Sequence, residues 1–429
     1  MEKYSKYKDS GVEWLGEIPS HWEVIKAKFI WDELFTVSET GNEKLLSVSQ
    51  YDGITEAKSD SRSESLTGYK LVRENDLVIN IMLAWMGGLG VSAYNGIVSP
   101  AYCIYRLKRD SNPKFMHYLY KTPLYLAEFA RHSTGVIPSR WRMYTDDFGQ
   151  VLTLLPPKEE QDAIVRYLND QSSKIDEAIA HQQKMIDLLN ERKQIIINNA
   201  VTKGLVPNVP MKDSGVDWIG TIPEHWKVRN IQYLFRNRNE YNIPIKSKER
   251  LSLSIDVGIT LYSEKTTNLD RFKEDYTQYK LAYEGDIVLN SMNMIVGAVG
   301  LSHYFGCVSP AYYVIYPTEQ NVNKVYYSLL LNSRAIRNVY RILGKGIYSI
   351  DRGDGRVNTC RLKVPYNDFS HIKVPLPPLH EQDEIACFIE NKFNIIERNI
   401  AKIRNQISLL QERKQIIINE VVTGKVKVS

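Results

Sequence analysis

Apolar positions recur every three to four residues, for about four heptads, in two stretches of the chain. In the first, Leu168, Ile175, Gln182, Leu189 and Ile196 stand seven apart, with Ser172, Ile179, Ile186 and Lys193 four positions after the first four of them. In the second, Ile389, Ile396, Ile403, Leu410 and Ile417 keep the same register with Phe393, Ile400, Ile407 and Lys414. A seam that narrow, flanked by Lys, Glu, Gln, Asn and Arg, predicts coiled-coil helices rather than core helices buried all round. Pro156-Pro157 followed by Glu159-Glu160 is a helix start with acidic residues in its first turn, and neither Gly nor Pro recurs before Gly204. About 42 residues at about 1.5 Å each make each helix a rod of about 60 Å. Two such helices in one chain predict an antiparallel pair with a globular domain at each end.

The rest of the chain reads differently. Short apolar or alternating runs at 45–50, 76–83 and 101–107 predict strands, and so do 251–256, 286–292 and 311–317. Helical stretches lie near 113–131 and 321–342. The two sets answer each other because the chain repeats. KDSGVEWLGEIPSHWEV at 8–24 returns as KDSGVDWIGTIPEHWKV at 212–228, identical at 12 of 17 positions. VSPAY at 98–102 returns at 308–312, PPKEEQ at 156–161 as PPLHEQ at 377–382, and ERKQIIIN at 191–198 as the same octet at 412–419. The expected fold class is α/β (α+β): two similar mixed domains, a long helix after each, and pseudo-twofold symmetry. The expected boundaries are 1–155, helix 156–205, 206–376 and helix 377–425.

Composition narrows the function. The net charge is only +5, so a nucleic-acid site must come from local clustering. Four scattered cysteines without a CxxC, and eight histidines without metal spacing, predict no zinc site or disulfide scaffold; a reducing cytosol fits. MEKYSKYKDS lacks an apolar core, so no signal peptide is expected, and no run is apolar for the about 18 residues of a membrane span. There is no GxxxxGK[ST], GxSxG or HExxH, and SPAY at 99–102 and 309–312 has Ala where an amino-methyltransferase tetrapeptide needs Pro. The glycines of GGLG at 87–90, and Gly297 with Gly300, read as tight turns. His21 and His225 lack a Ser, Cys or Asp partner and read as structural. No catalytic and no metal residues are expected, so the chain reads as a binding protein.

Basic and aromatic residues gather just before each long helix. Between 331 and 363, eight Lys or Arg stand against two Asp, with glycines and Tyr348 interleaved. Arg337, Arg341, Lys345, Arg352, Arg356 and Arg361 are candidates to present forks to phosphates or guanine edges. The corresponding place in the first copy offers Arg131, Arg140, Trp141, Arg142 and Tyr144. Weaker candidates are Lys58, Arg62, Tyr69 and Lys70, and in the second copy Arg236, Arg238, Arg271, Lys273, Tyr279 and Lys280. Because the helices are alike and the domain interiors differ, the alike parts would bind two copies of one partner. The unlike parts would each read a different short DNA sequence.

The repeated KDSGVEWLGEIPSHWEV segment, the PPKEEQ and PPLHEQ starts and the two ERKQIIIN helices resemble the specificity subunit of type I restriction–modification systems over the whole chain. The resemblance implies two target recognition domains separated by two helices in an antiparallel coiled coil. It also implies a non-catalytic, cytoplasmic subunit that binds double-stranded DNA at a bipartite site. Such a subunit docks two modification (methyltransferase) subunits and, in the full complex, restriction subunits. It implies no cofactor in this chain; S-adenosylmethionine, ATP and Mg would be used by the partners. Pro156, Pro157, Glu160 and Gln161, with Pro377, Pro378, Glu381 and Gln382, would mark the domain-to-helix junctions. A subunit serving a methyltransferase without a restriction partner, and a non-DNA coiled-coil scaffold, remain alternatives.

Overall fold

The computed structural model describes residues 2–51, 53–57, 66–137, 141–255, 257–265, 275–347 and 361–428, less the side chains of residues 265, 347 and 361. The chain packs as two units, Met1–Gln183 with Arg404–Ser429, and Lys184–Ile403. Each unit therefore holds one mixed domain and half of each long helix.

The expected strands form, trimmed at their ends. In the first unit Trp31–Leu34, Tyr102–Leu107, Leu77–Asn80 and Leu89–Val91 lie side by side in an antiparallel sheet. In the second, Phe235–Asn237, Tyr312–Pro317, Ile287–Asn290 and Val299–Leu301 repeat that order. The inner strand Leu77–Asn80 is buried at every position because both faces of the sheet are covered. Successive side chains go to opposite faces: Leu77 and Ile79 enter the main core, Val78 a smaller one with Leu46, Val48 and Val98. Ile287, Leu289 and Val288 divide in the same way. The turn at Gly87-Gly88 joins two of these strands. Gly87 is left-handed at φ 85°, and a Cβ on Gly88 would lie 2.6 Å from that of Leu83, so any side chain there would clash.

Each expected helical stretch is two helices. Pro113–Tyr120 ends before Thr122, which caps Pro123–Arg131 by accepting the Tyr125 N–H, and Pro123 has no N–H with which to continue the first helix. Lys324–Leu331 and Arg334–Leu343 break at Ser333, which caps through the Ile336 N–H.

The long helices run Lys158–Lys203 and Leu379–Val422, 46 and 44 residues, or about 69 and 66 Å. All thirteen apolar seam residues expected from the heptads (Leu168, Ile175, Ile179, Ile186, Leu189, Ile196, Ile389, Ile396, Ile400, Ile403, Ile407, Leu410 and Ile417) are buried or half-buried, and so are Lys193 and Lys414 on the same lines. In the first unit Leu168 and Ile175 share a core with Ile417 and Val421, and Lys414 binds Asp176. In the second, Ile197 and Val201 share a core with Ile385 and Ile389, and Lys193 binds Glu397 while lying over the Phe393 ring.

Candidate nucleic-acid interface

The repeated tryptophan motif is a clasp on helix ends. In the first unit His21 Nε2 lies 2.7 Å from Glu160, in the first turn of one long helix, and Tyr4 donates its hydroxyl to the same carboxylate. Beside it, Trp22 and Pro19 close on Gly424, which ends the other long helix in a left-handed conformation. In the second unit His225 Nε2 is 2.6 Å from Glu381, the Trp226 indole donates to Glu381 at 2.8 Å, and Trp226 packs on left-handed Gly204. In each unit, then, the start of one long helix and the end of the other meet at one motif, so the halves it holds run antiparallel. His21 and His225 hold a carboxylate, in keeping with the structural role expected of them.

A second device locks domain to helix. Gln161 is buried; its amide donates to Pro156 O and its oxygen accepts the Asn112 N–H, both at 2.8 Å. Gln382 repeats this with Pro377 O and the Asn323 N–H, both at 2.8 Å, and adds Asn321 O at 3.0 Å. Asn112 and Asn323 also donate to Asp162 and Asp383. The Gln of PPKEEQ and PPLHEQ thus satisfies backbone groups at the domain-to-helix junction, Pro156 O and Pro377 O among them in buried bonds.

Onto this frame each domain adds a hairpin beyond its pair of short helices. In the first unit Thr134 bridges Arg142, and the Met143 N–H binds Ile81 O at 3.0 Å. In the second, Lys345–Ile347 pairs with Arg361–Lys363, and the Val364 N–H binds Ser291 O at 3.0 Å. Both hairpins are anchored on the loop after the inner sheet strand.

The candidate DNA contacts divide on this frame. Arg142 and Tyr144 are exposed at the base of the first hairpin, and Trp141 meets Trp85 edge-to-face at 5.4 Å. Arg131 is gripped bidentately by Glu128 at 2.8 and 2.7 Å. Burial pushes the Glu128 carboxyl up, but the Arg131 fork and nearby His132 outweigh it and hold its pKa below the ordinary value. Lys345 binds Asp368, Arg337 is half-buried, and Arg341 is exposed. Arg140, Lys58, Arg62, Tyr348, Arg352 and Arg356 lie outside the described residues, as does the side chain of Arg361.

Three of the weaker candidates build the fold instead. Arg238 forks onto buried Asp286 between the rings of Tyr283 and Tyr316. Lys280 is buried with its ammonium 3.3 Å from Tyr312 O, and burial lowers its pKa. Lys70 makes the matching bond to Tyr102 O at 2.8 Å. Charge spacing alone cannot tell such a strut from a phosphate contact. The missed signal was the repeat, which puts lysine at the same place in both copies. Among the described residues no group of three or more His, Cys, Asp or Glu is placed to hold a metal, and no helix is long and apolar enough to cross a membrane.

Residues 223–409 match the family model described as type I restriction modification DNA specificity domain. The chain is 22% identical to the putative type I restriction enzyme MjaX specificity subunit of Methanocaldococcus jannaschii, over 96% of each chain. It is 24% identical to the MjaVIII specificity subunit of the same organism, over 66% of this chain and 63% of that one. A solved chain from work on complex assembly and conformational transition of the type I R-M system shares the fold, with a TM-score of 0.65 at 13% identity over 95% of this chain and 99% of that one. Residues 223–409 thus match the DNA specificity domain of type I restriction–modification systems, and the chain is similar over nearly its whole length to a putative specificity subunit of such a system.

Proposed function

We propose that this chain reads a split, asymmetric DNA site, one half with each unit, and that the paired long helices fix the gap. One observation carries this reading. The clasp, the glutamine lock and the helix seam recur in both units, whereas the hairpins they support differ in sequence. In the first unit the described part of the hairpin carries Trp141 beside Trp85, exposed Val136 and Ile137, and one exposed cation, Arg142. In the second, the sequence between the hairpin strands is rich in Arg and Gly. Two frames of one kind bearing unlike sequences suit two different short DNA sequences.

The like parts would take like partners. Leu409 and Ile416 in the first unit, and Leu188 and Ile195 in the second, occupy equivalent helix positions beside the seam, each about half exposed. Each pair is an apolar step on a polar helix, suited to docking one modification subunit. The chain itself would do no chemistry; its partners would supply S-adenosylmethionine-dependent methylation and, with restriction subunits, ATP- and Mg-dependent cleavage.

The test is to co-express the chain with the modification subunit from its own operon and map methylated adenines across the host genome. A two-part motif with one constant gap is expected. A stable complex that leaves no split motif would refute the reading.

A further inference from the structure

The helix Arg334–Leu343 carries Arg334, Arg337 and Arg341 on one face, three and four residues apart, and turns them toward the second half of the first long helix. Between the two helices lies a cleft of about 550 Å³, lined by these three arginines, the amides of Gln194 and Asn338, and one carboxylate, Glu191. None of the three arginines forms an ion pair among the described residues. Arg337 is held in place: one guanidinium nitrogen donates to Gln194 Oε1 at 2.9 Å, another to Val296 O at 3.2 Å. Its buried Nε has no partner. Burial, with Arg341 and Arg334 alongside, lowers its pKa from the ordinary guanidinium value. Such crowding of like charge destabilises the empty cleft, and an anion would relieve it.

The first unit builds the same helix without these arginines. Aligned on their caps, Thr122 and Ser333, the two short helices put Pro123, Leu126 and Ala130 of the first unit where the second has Arg334, Arg337 and Arg341. The inward residues match instead: Tyr125 with Ile336 and Phe129 with Tyr340, all fully buried. One helix keeps its core face and gains three cations on the other. Gly297 makes room for this, since a Cβ there would come within 3.0 Å of the Arg337 guanidinium.

We infer that the cleft between the helix Arg334–Leu343 and the first long helix is a phosphate-binding site present in the second unit alone. Guanidinium forks suit the paired oxygens of a phosphate, and the neighbouring amides can donate to them. The ligand is a DNA backbone phosphate or a free polyphosphate; the DNA source rests on the DNA-reading proposal above. A phosphate contact positions and does not specify. The second unit would thus add sequence-independent hold on DNA that the first lacks.

The experiment uses the full chain and the double variant Arg334→Gln/Arg341→Gln, whose side chains are exposed and whose loss spares the core. Arg337→Gln is a second variant, expected to act in the same direction but at greater risk to the fold. Lys3→Gln/Lys6→Gln in the first unit controls for the loss of two charges. Two readouts are taken: thermal stabilisation by sodium tripolyphosphate, and the salt dependence of binding to a duplex carrying the methylated motif. Tripolyphosphate should stabilise the wild type and the control but not the double variant. The slope of log affinity against log salt should flatten by about 1 per phosphate lost in the double variant, with the preferred sequence unchanged. Lost tripolyphosphate stabilisation with an unchanged slope keeps the site and assigns it to free polyphosphate. The same loss in a protein that binds no duplex keeps the site while the DNA-reading proposal falls. No difference from the control in either readout, or a changed sequence preference, would overturn the inference.

Discussion

Replacing Gln382 with Met tests whether the junction glutamine holds the second domain on its helix. Methionine keeps the length and removes the amide. Three backbone groups then lose their partner: the Asn323 N–H, Pro377 O and Asn321 O. Gln382 is fully buried, so no water replaces it without opening the junction. An unsatisfied buried group costs about 1–3 kcal/mol, and carbonyls, with two lone pairs, fall at the low end. Asn321 is exposed and water can take its carbonyl, so two groups count and the expected loss is about 2–4 kcal/mol in the second unit, a large part of the about 5–15 kcal/mol that holds an ordinary domain. Gln161→Met in the first unit loses the two equivalent partners and should cost about the same, about 2–4 kcal/mol. Two units need not unfold together, so hydrogen exchange read peptide by peptide is the suitable assay. The Asn323 amide should lose protection in the first variant and the Asn112 amide in the second, each leaving the other unit unchanged. A cost below about 1 kcal/mol with the Asn323 amide still protected would refute the reasoning, because that bond would then be replaceable.

Acid should weaken the first unit through His117, whose pKa is lowered to about 4, first by burial and then by Lys121. The folded value lies below the unfolded one, about 6.5, so stability is full above pH 6.5 and is lost as pH falls toward 4, on the order of 3 kcal/mol in all. Urea midpoints across that range should slope in the wild type and flatten in His117→Gln, which keeps an acceptor for the Val91 N–H. Gly16→Ala and Gly424→Ala both place a side chain at positive φ, but only at Gly424 would the Cβ meet Pro19, at 2.5 Å. The first should cost about 1–2 kcal/mol, and thermal melts should show the second costing clearly more. Adding one heptad to both long helices lengthens the rod by about 10 Å and should widen the gap in the methylated motif by about three base pairs at about 3.4 Å each; an unchanged gap would reject the spacer role.

What the sequence determined by itself was whatever repeats along it. The heptads specified which faces of the long helices are buried, because a 3.5-residue period leaves one seam and little choice. The alternating runs specified the sheet strands, because side chains on a strand must part to opposite faces. The duplication required two like domains. Tertiary structure decided what distant residues do together. His21 and Glu160 are 139 positions apart, and only the folded chain makes them one clasp. Gln161 looked like a helix-start marker; burial against Asn112 made it a lock. Arg238 and Arg337 carry the same charge in sequence. The fold gives the first an ion pair with a buried carboxylate and leaves the second without an ion pair among the described residues, because charge becomes structural or available only when its neighbours are known.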